Sequence, residues 1–331
     1  GEHVAGDVLT VSGTATYSDK TADTGKTVTV NGLAITGPDA GNYALPGVSA
    51  NAATTANITA RTLTITGTFT VANRQYDATT DATAQVTPPA SPGLSDVQLT
   101  DNVTLTGTPT FTFAQAVVGN GIAISTTGYS LSGTDAANYV LTQPSFTANI
   151  TQRPLTVGGS LVVASTRTYD RTVASSITSA GSLTLVNVPS GDANNASKVA
   201  LTSLVAQYGD KTVGTGKPVT LTSASLTGTT AGNYTLSLSG APTTTADITA
   251  KALAVTITAS NKTYDRTTTA SVTYADDRIA GDVLTVSGTP SFATKTVANG
   301  KTVTATGITI TGTDAANYTQ NTTATTTANI T

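Results

Sequence analysis

The stretch KALAVTITA, residues 251–259, alternates large apolar side chains with small or hydroxyl-bearing ones. Leu253, Val255 and Ile257 occupy every second position, which places them on one face of an extended strand. Val, Ile and Thr are branched at Cβ, and such residues pack well on a pleated surface. Later runs of the same segment keep this period of two, with Gly, Pro, Asn and Asp standing between them as turn residues. The segment therefore predicts a series of short β-strands with one apolar face.

Four landmarks recur along the chain in the same order, which indicates a tandem repeat with a period of roughly 80–100 residues. They are a Tyr-Asp pair, a Gly-Asp or Ser-Asp turn, a glycine turn before a strand, and an Asn-Tyr pair followed by a closing strand that ends NIT or DIT. The Tyr-Asp pairs are Tyr76-Asp77, Tyr169-Asp170 and Tyr264-Asp265. The Asn-Tyr pairs are Asn42-Tyr43, Asn138-Tyr139, Asn233-Tyr234 and Asn317-Tyr318.

The landmarks divide the chain into three full repeats, residues 60–151, 152–249 and 250–331, and a partial repeat, residues 1–59, without the first strands and the Tyr-Asp pair. We therefore expect the sequence to be cut from a longer chain. Seven or eight short strands per unit predict an all-β fold of tandem β-sandwiches, Ig-like or similar. Only short segments such as TAKAL connect successive units, without a flexible Gly/Ser linker. We expect the repeats to lie end to end as an extended rod.

The composition excludes several classes of function. The net charge is −3, charged residues make up 11% of the chain, and no basic cluster is present, so nucleic acid is a poor partner. No apolar run approaches the length of about 18 residues that a membrane span needs. The chain has no Cys, which removes disulfides and thiolate metal sites. We predict neither a nucleic-acid partner nor a membrane span.

Catalytic and metal-binding residues are scarce. The only His and the only Glu are His3 and Glu2, at the terminus, and the Asp residues recur in turns, where they cap backbone N–H groups. Calcium would require several carboxylates converging between repeats, yet the connecting segments carry Arg61, Arg153 and Lys251. We expect no enzyme activity, no catalytic or metal residues and no cofactor; a calcium site made of loop Asp residues stays open.

The paired landmarks are interpreted first as structural. In the Tyr-Asp pair, we expect a buried Tyr whose hydroxyl reaches a backbone partner and an Asp that binds nearby N–H groups of a turn. Before the Asn-Tyr pair, an Asp, or Thr230 in the third repeat, is expected to open a turn, and the Tyr to begin a strand. A binding role for these residues is the alternative.

Taken together, the Y-D-x-T motif, the GDxLxxxG element and the DAxNY…NIT ending resemble the YDG and MBG-type repeats of bacterial filamentous-haemagglutinin-like surface adhesins. The resemblance covers essentially the whole chain. One departure concerns the third motif position, usually Gly in that family and here Ala78, Arg171 and Arg266. If that Gly serves a tight turn with positive φ, we expect the turn to differ in this chain.

The resemblance implies a structural stalk or spacer segment of a large adhesin or extracellular filament, which projects a binding region from the bacterial cell surface. Its partners would then be neighbouring repeats of the same long chain. A first alternative is a binding module that contacts glycan or another protein through the repeat loops, although Trp, a common sugar platform, is absent. A second alternative is a filament subunit that associates with other copies of itself through exposed edge strands.

Overall fold

The computed structural model describes residues 3–45 and 52–331, so Glu2 lies outside the described residues. The protein is all-β, and helical structure in the described residues is confined to five 3-10 turns of three residues each. No helix in these ranges has both the length and the apolar character that crossing a membrane would require. The chain forms two compact units, Gly1–Gln152 and Arg153–Thr331.

The first unit contains the first two repeats. Its strands are β1 (Thr10–Tyr17), β2 (Asp23–Thr36), β3 (Ala52–Ile58), β4 (Arg61–Thr66), β5 (Thr70–Val71), β6 (Arg74–Gln75), β7 (Val86–Thr87), β8 (Gly93–Leu94), β9 (Thr104–Thr106), β10 (Thr110–Phe113), β11 (Gly119–Thr127), β12 (Ser130–Ser132), β13 (Tyr139–Thr142) and β14 (Ser145–Thr151). Its 3-10 turns are Ala40–Asn42 and Ala136–Asn138.

The second unit contains the third and fourth repeats. Its strands are β15 (Arg153–Gly159), β16 (Val162–Val163), β17 (Thr166–Thr168), β18 (Ala174–Ser175), β19 (Ile177–Ser179), β20 (Leu183–Val186), β21 (Ala200–Tyr208), β22 (Gly214–Thr227), β23 (Tyr234–Ser237), β24 (Thr243–Thr249), β25 (Lys251–Leu253), β26 (Val255–Ala259), β27 (Val272–Asp276), β28 (Thr285–Phe292), β29 (Ala298–Thr311), β30 (Tyr318–Gln320) and β31 (Thr323–Ile330). Its 3-10 turns are Ala180–Ser182, Ala231–Asn233 and Ala315–Asn317.

Every repeat contains the same antiparallel sheet, in which a long central strand pairs with the strand before it and with the closing strand. The four sheets contain the orders β1-β2-β3, β10-β11-β14, β22 between β21 and β24, and β28-β29-β31. In the fourth repeat, Val303 of the central strand lies opposite Phe292 on one side and Thr326 on the other. Val303 and Phe292 are buried, whereas the neighbouring Thr302 is exposed. The predicted period of two therefore separates a buried face from an exposed, Thr-rich one.

The first strand of each full repeat pairs in parallel with the strand that follows the Asn-Tyr pair: β4 with β13, β15 with β23, and β25 with β30. Parallel neighbours need a long connection, which the rest of the repeat provides. In the second unit, Leu253 and Ile257 belong to the same apolar core as Val303 and Ile330 of the antiparallel sheet. Two layers of strands thus enclose one core, as in a β-sandwich.

The glycine turn before the central strand is held by the closing strand. In each repeat a Gly with positive φ donates its backbone N–H to the side-chain Oδ1 of the NIT or DIT motif at 2.8 Å. The pairs are Gly25 with Asn57, Gly121 with Asn149, Gly216 with Asp247, and Gly300 with Asn329. This contact gives the NIT and DIT endings a structural role, because the amide or carboxylate oxygen satisfies a turn N–H.

The turn at the third motif position keeps a positive φ, and the expectation that it differs in this chain is wrong. Ala78, Arg171 and Arg266 have φ of 65°, 69° and 68°. For residues with a Cβ this conformation costs about 1–2 kcal/mol. The preceding Asp compensates, because its Oδ1 accepts a hydrogen bond from the backbone N–H two residues later, at 2.8–2.9 Å in all three loops.

Candidate functional site at the repeat junctions

A hydrogen bond between Tyr and Asp connects the second and fourth landmarks in every repeat. The Tyr hydroxyl of the Asn-Tyr pair donates to an Asp Oδ2 from the preceding turn. The pairs are Tyr43 and Asp7 (2.7 Å), Tyr139 and Asp101 (2.8 Å), Tyr234 and Asp192 (2.8 Å), and Tyr318 and Asp282 (2.7 Å). In the second repeat the carboxylate comes from Asp101 and not from the Ser95-Asp96 turn that the sequence pattern suggested.

A second carboxylate lies beside the first in three of the four repeats. Asp39, Asp135 and Asp314 stand directly before the 3-10 turn of the Asn-Tyr pair, as expected of turn openers. Their Oδ2 atoms accept hydrogen bonds of 2.9 Å from the backbone N–H of Val8, Asn102 and Val283, respectively. In the third repeat the Thr230 hydroxyl instead donates to the Lys198 carbonyl at 3.0 Å.

The Asn and Tyr side chains complete a surface that we call the acidic face. It comprises Asp7, Asp39, Asn42 and Tyr43 in the first repeat, Asp101, Asp135, Asn138 and Tyr139 in the second, Asp192, Asn233 and Tyr234 in the third, and Asp282, Asp314, Asn317 and Tyr318 in the fourth. Strands β13, β23 and β30 begin at Tyr139, Tyr234 and Tyr318, and Tyr43 has extended backbone. The same local sequence therefore builds the same polar surface repeatedly.

The Tyr-Asp loop contains a basic residue that the sequence analysis missed. Arg74, Arg167 and Lys262 stand three residues before the Asp of the pair and form ion pairs with Asp77, Asp170 and Asp265 at 2.8, 2.5 and 2.8 Å. Each cation also lies over an aromatic ring of its own repeat, that of Phe113, Tyr208 or Phe292. The sequence contained this basic residue at the first position of RQYD, RTYD and KTYD. These Asp residues are satisfied inside their own loops, which favours a structural role.

The Tyr residues of the three loops differ in exposure. Each Tyr donates its backbone N–H to the carbonyl oxygen of a Thr at the end of its own repeat, Thr151, Thr249 or Thr331, at 2.8–2.9 Å. Tyr76 and Tyr169 are buried, as expected, but 46% of Tyr264 is exposed. Among the described residues, the expected backbone partner of the buried Tyr169 hydroxyl is not found.

In the second unit, the loop of the third repeat meets the acidic face of the fourth. Arg171 Nε lies 3.0 Å from Asp282 Oδ1, and its two terminal nitrogens donate to the carbonyl oxygens of Ala280 and Gly281 at 2.6 and 3.0 Å. The rings of Tyr169 and Tyr318 pack edge to face with their centroids 5.6 Å apart. Arg171 therefore neutralises a carboxylate that is almost fully buried beside an aromatic pair.

A backbone contact accompanies this ion pair. Val213, in the loop between β21 and β22, donates its N–H to Asn317 Oδ1 at 3.0 Å. This pairs the Asn of the acidic face with the preceding repeat. The junction thus combines a charge-assisted contact, an aromatic contact and an amide hydrogen bond.

In the first unit, the acidic face of the second repeat is bound by a different cation. The first repeat has no Tyr-Asp pair, and Lys20, in the loop between β1 and β2, reaches Asp101 and Asp135 at 2.8 and 2.9 Å. Ala22 of the same loop donates its N–H to Asn138 Oδ1 at 2.8 Å, as Val213 does in the second unit. The amide contact is therefore common to both junctions, whereas the cation comes from either of two loops.

The charges at the junctions shift several pKa values. Lys20, followed by the Tyr139 hydroxyl, lowers the pKa of Asp101. For Asp135, the hydrogen bond from the Asn102 N–H, followed by Lys20, lowers the pKa. The two carboxylates in turn raise the pKa of Lys20. All three groups are consequently charged at neutral pH.

Burial is the main cause of the shifts at the aromatic pair. It raises the pKa of Tyr169 to about 12, with the nearby Asp282 carboxylate adding to the shift. Burial and the hydrogen bond to Asp282 likewise raise the pKa of Tyr318 to about 12. Both hydroxyls therefore stay protonated over the ordinary pH range.

The basic residues of the connecting segments bind within their own repeats. Arg61 lies 3.9 Å from Asp96, Lys251 lies 3.5 Å from Asp277, and Arg153 Nε donates to the Asn187 carbonyl at 2.6 Å. Across residues 3–45 and 52–331, no three His, Cys, Asp or Glu side chains form a group that could hold a metal ion. On the acidic faces of the second and fourth repeats, Lys20 and Arg171 form the ion pairs with the carboxylates.

The family comparison agrees with the repeated geometry. The model of the YDG domain matches four times, at residues 1–56, 59–146, 151–246 and 249–328. Searches of curated proteins and of solved structures gave no match. Four matches that together span most of the chain show that this protein belongs to the YDG domain family and consists of tandem repeats of that domain.

Proposed function

We propose that the chain is a stalk or spacer segment of a large bacterial surface adhesin or extracellular filament, in which the repeats hold a distal binding region away from the cell. The observation that supports this function is a set of polar contacts between repeats that recurs on the acidic face. Within each unit a cation and a backbone N–H of one repeat bind the carboxylate and the Asn of the next. Such contacts restrain the angle between two repeats.

The short connections within the units support the same function. Strand β3 ends at Ile58 and β4 begins at Arg61, while β24 ends at Thr249 and β25 begins at Lys251. A connection of one or two residues leaves little freedom between consecutive sandwiches, unlike a Gly/Ser-rich linker. A spacer requires this property because its length determines how far the binding region is presented.

Small-angle scattering of the full chain tests the proposal. A series of four sandwiches placed end to end should reach a maximum dimension of roughly 130–170 Å, against about 50–60 Å for one compact globule of this length. The variant with both Lys20→Ala and Arg171→Ala should show greater flexibility at an unchanged number of folded repeats. A compact profile for the unaltered chain would contradict the spacer function.

A binding module that contacts glycan or another protein through its loops is the second candidate. The third repeat has an open cleft between β20 and β21, lined by Leu185, Asn187, Asn194 and Val199 among others. Asn187 and Asn194 have positive φ, 72° and 57°, which turns the loop around the cleft. Asn side chains offer both donors and acceptors to sugar hydroxyls. Chemical-shift changes of these two Asn side chains on titration with soluble glycans would favour this candidate, and unchanged shifts would count against it.

A further inference from the structure

In the second and third repeats, the strands by which the chain enters and leaves each lie in a parallel pair. The second repeat begins with β4, which pairs in parallel with β13, and ends with β14, which pairs in parallel with β6. The third repeat begins with β15, paired in parallel with β23, and ends with β24, paired in parallel with β17. We call β4–β13 and β15–β23 the entry pairs, and β6–β14 and β17–β24 the exit pairs.

The direction of a pair determines how it responds to tension along the chain. In a parallel pair, the upstream strand is pulled at its N-terminal end and the downstream strand at its C-terminal end, and these ends lie at opposite ends of the pair. The load then runs along both strands, and all hydrogen bonds between them carry it together. In an antiparallel hairpin the two pulled ends lie side by side, so the bonds break one after another. Tension between the entry and the exit of a repeat therefore shears its two parallel pairs.

In the second repeat, side-chain hydrogen bonds reinforce the exit pair. The Asn149 N–H donates to Asn73 Oδ1 at 2.8 Å, and the Tyr76 N–H donates to the Thr151 carbonyl oxygen at 2.9 Å. The Thr151 hydroxyl also donates to the Arg74 carbonyl oxygen at 3.2 Å. The exit pair thus continues on both sides of the short strand β6.

The exit pair of the third repeat has the same bonds. The Asp247 N–H donates to the Ser165 carbonyl oxygen at 2.9 Å, and the Tyr169 N–H donates to the Thr249 carbonyl oxygen at 2.8 Å. The Thr249 hydroxyl donates to the Arg167 carbonyl oxygen at 3.2 Å. Here a backbone oxygen, that of Ser165, accepts the bond that the Asn73 side chain accepts in the second repeat.

The basic residue of the Tyr-Asp loop attaches the inner strand of the exit pair to the sheet at a second point. Arg74 belongs to β6 and Arg167 to β17. Their guanidinium groups lie over the rings of Phe113 and Tyr208, 4.6 and 5.0 Å from the ring centroids. Phe113 and Tyr208 belong to β10 and β21, strands of the same two sheets as the exit pairs. Such a cation–π contact contributes about 0.5–2 kcal/mol.

We propose that the second and third repeats are force-bearing modules, whose entry and exit pairs resist extension of the chain by shear. The use of this strength rests on the spacer function, because a spacer between a cell and a bound surface transmits the tension between them. The rate of forced unfolding depends on the barrier to breaking these pairs and not on the total stability of the repeat. We therefore expect a repeat to be strong along the chain and weak when one of its hairpins is opened.

Pulling on the second repeat in two directions tests the proposal. The chain has no Cys, so two introduced Cys residues fix the points at which DNA handles are attached to the full chain. Handles at Ala60→Cys and Gln152→Cys, both exposed, load the repeat at its entry and exit. Handles at Thr110→Cys and Thr127→Cys load the open end of the antiparallel hairpin β10–β11, where the two Thr hydroxyl oxygens are 2.8 Å apart.

Optical-tweezers measurements at one loading rate compare the two directions in the same folded repeat. The unfolding force should be several-fold higher with the entry and exit handles than with the hairpin handles. The high-force event should lengthen the chain by roughly 250–300 Å, as expected for full extension of a repeat of this size. Equal forces in the two directions would overturn the proposal.

A side-chain variant tests whether the exit pair carries the load. Asn73→Ala removes the acceptor of the Asn149 N–H and should lower the entry-to-exit unfolding force without changing the hairpin force. Thr106→Ala is the matched control, because it removes an exposed side-chain hydrogen bond to Ser130 in the antiparallel pair β9–β12 of the same repeat. It should leave both forces unchanged, and an equal reduction by the two variants would overturn the role of the exit pair.

Scattering and force measurements separate this inference from the spacer function. An extended chain whose second repeat yields at equal force in both directions would keep the spacer function and overturn the force-bearing role. A compact chain whose second repeat is several-fold stronger along the entry-to-exit direction would contradict the spacer function and support the shear resistance of the fold.

Discussion

Asp282 is shared between two repeats, because its Oδ2 accepts the hydroxyl of Tyr318 at 2.7 Å while its Oδ1 faces Arg171 at 3.0 Å. Tyr318 belongs to the same repeat as Asp282, and Arg171 belongs to the preceding one. The carboxylate side chain is only 1% exposed, so it depends on these partners for compensation of its charge. One buried carboxylate thus couples the internal structure of a repeat to its junction.

Replacement of Arg171 and of Arg266 by Gly distinguishes the cost of backbone strain from the contribution of the contact between repeats. Both residues have positive φ, and Gly should relieve about 1 kcal/mol of strain at either position. Arg266 has no described partner outside its loop, so Arg266→Gly should stabilise the fourth repeat. Arg171→Gly also removes the partner of Asp282, which costs about 1.5–3 kcal/mol, so the net result should be destabilising. Hydrogen exchange read by mass spectrometry resolves the two repeats; equal effects of the two variants would contradict a role for Arg171 at the junction.

Tyr318→Phe should weaken the second unit. The variant keeps the ring that packs against Tyr169 but removes the hydroxyl that binds Asp282, and a buried acceptor left without its donor costs about 1–3 kcal/mol. Tyr43→Phe in the first repeat is the matched control, because Tyr43 is only half-buried. Urea denaturation should show a clearly larger loss for Tyr318→Phe than for Tyr43→Phe. A loss of equal size would mean that burial of Asp282 does not amplify the effect.

Alkaline pH should loosen the second unit. The folded pKa of Tyr169 and of Tyr318 is about 12, above the unfolded value of about 10. A group whose pKa is raised by folding contributes its full stability below the unfolded pKa and loses it as the pH rises through the folded pKa. Stability should therefore fall between pH 10 and 12. Phenolate absorbance should show late-titrating tyrosines, and Tyr169→Phe should remove one of them; an unchanged late phase in this variant would contradict the burial of Tyr169.

Acid pH should open the junction in the first unit. The pKa values of Asp101 and Asp135 are lowered on folding, so their contribution is present above the unfolded value of about 3.9 and is lost as the pH falls through the folded values. Protonation removes the charge that Lys20 binds. Exchange of the Ala22 amide, which is bonded to Asn138, should accelerate over this range. Lys20→Gln should reduce this pH dependence, chiefly through Asp101; an Ala22 amide that stays protected at low pH would contradict the prediction.

The sequence alone was sufficient for the all-β class, for the repeat and for the strand pattern. These features follow from local information: side chains alternate across a strand, and Gly, Asn and Asp mark turns wherever they occur. The landmark pairs Asn138-Tyr139 and Asn317-Tyr318 lie at the centre of the acidic face, although the sequence pattern predicted only a turn and a strand start there. The basic residue of the Tyr-Asp loop could also be read from the sequence. Its contact with an aromatic ring could not, because that ring lies more than 20 residues away, as Phe113 does beneath Arg74.

The tertiary structure alone decided which of these residues form contacts between repeats. Arg171 donates to the carbonyl oxygen of Ala280, which lies 109 positions later in the sequence, and no local sequence pattern encodes a contact over that separation. The two copies of TYDRT illustrate the reason. Their sequences are identical and their backbone φ angles at Arg171 and Arg266 are almost the same, yet Tyr169 is buried and Tyr264 is exposed. Local sequence determines the conformation of the loop, because the turn and its Asp hydrogen bonds lie within a few residues. Burial depends instead on whether an acidic face covers the loop, and only the packing of one repeat on another determines that.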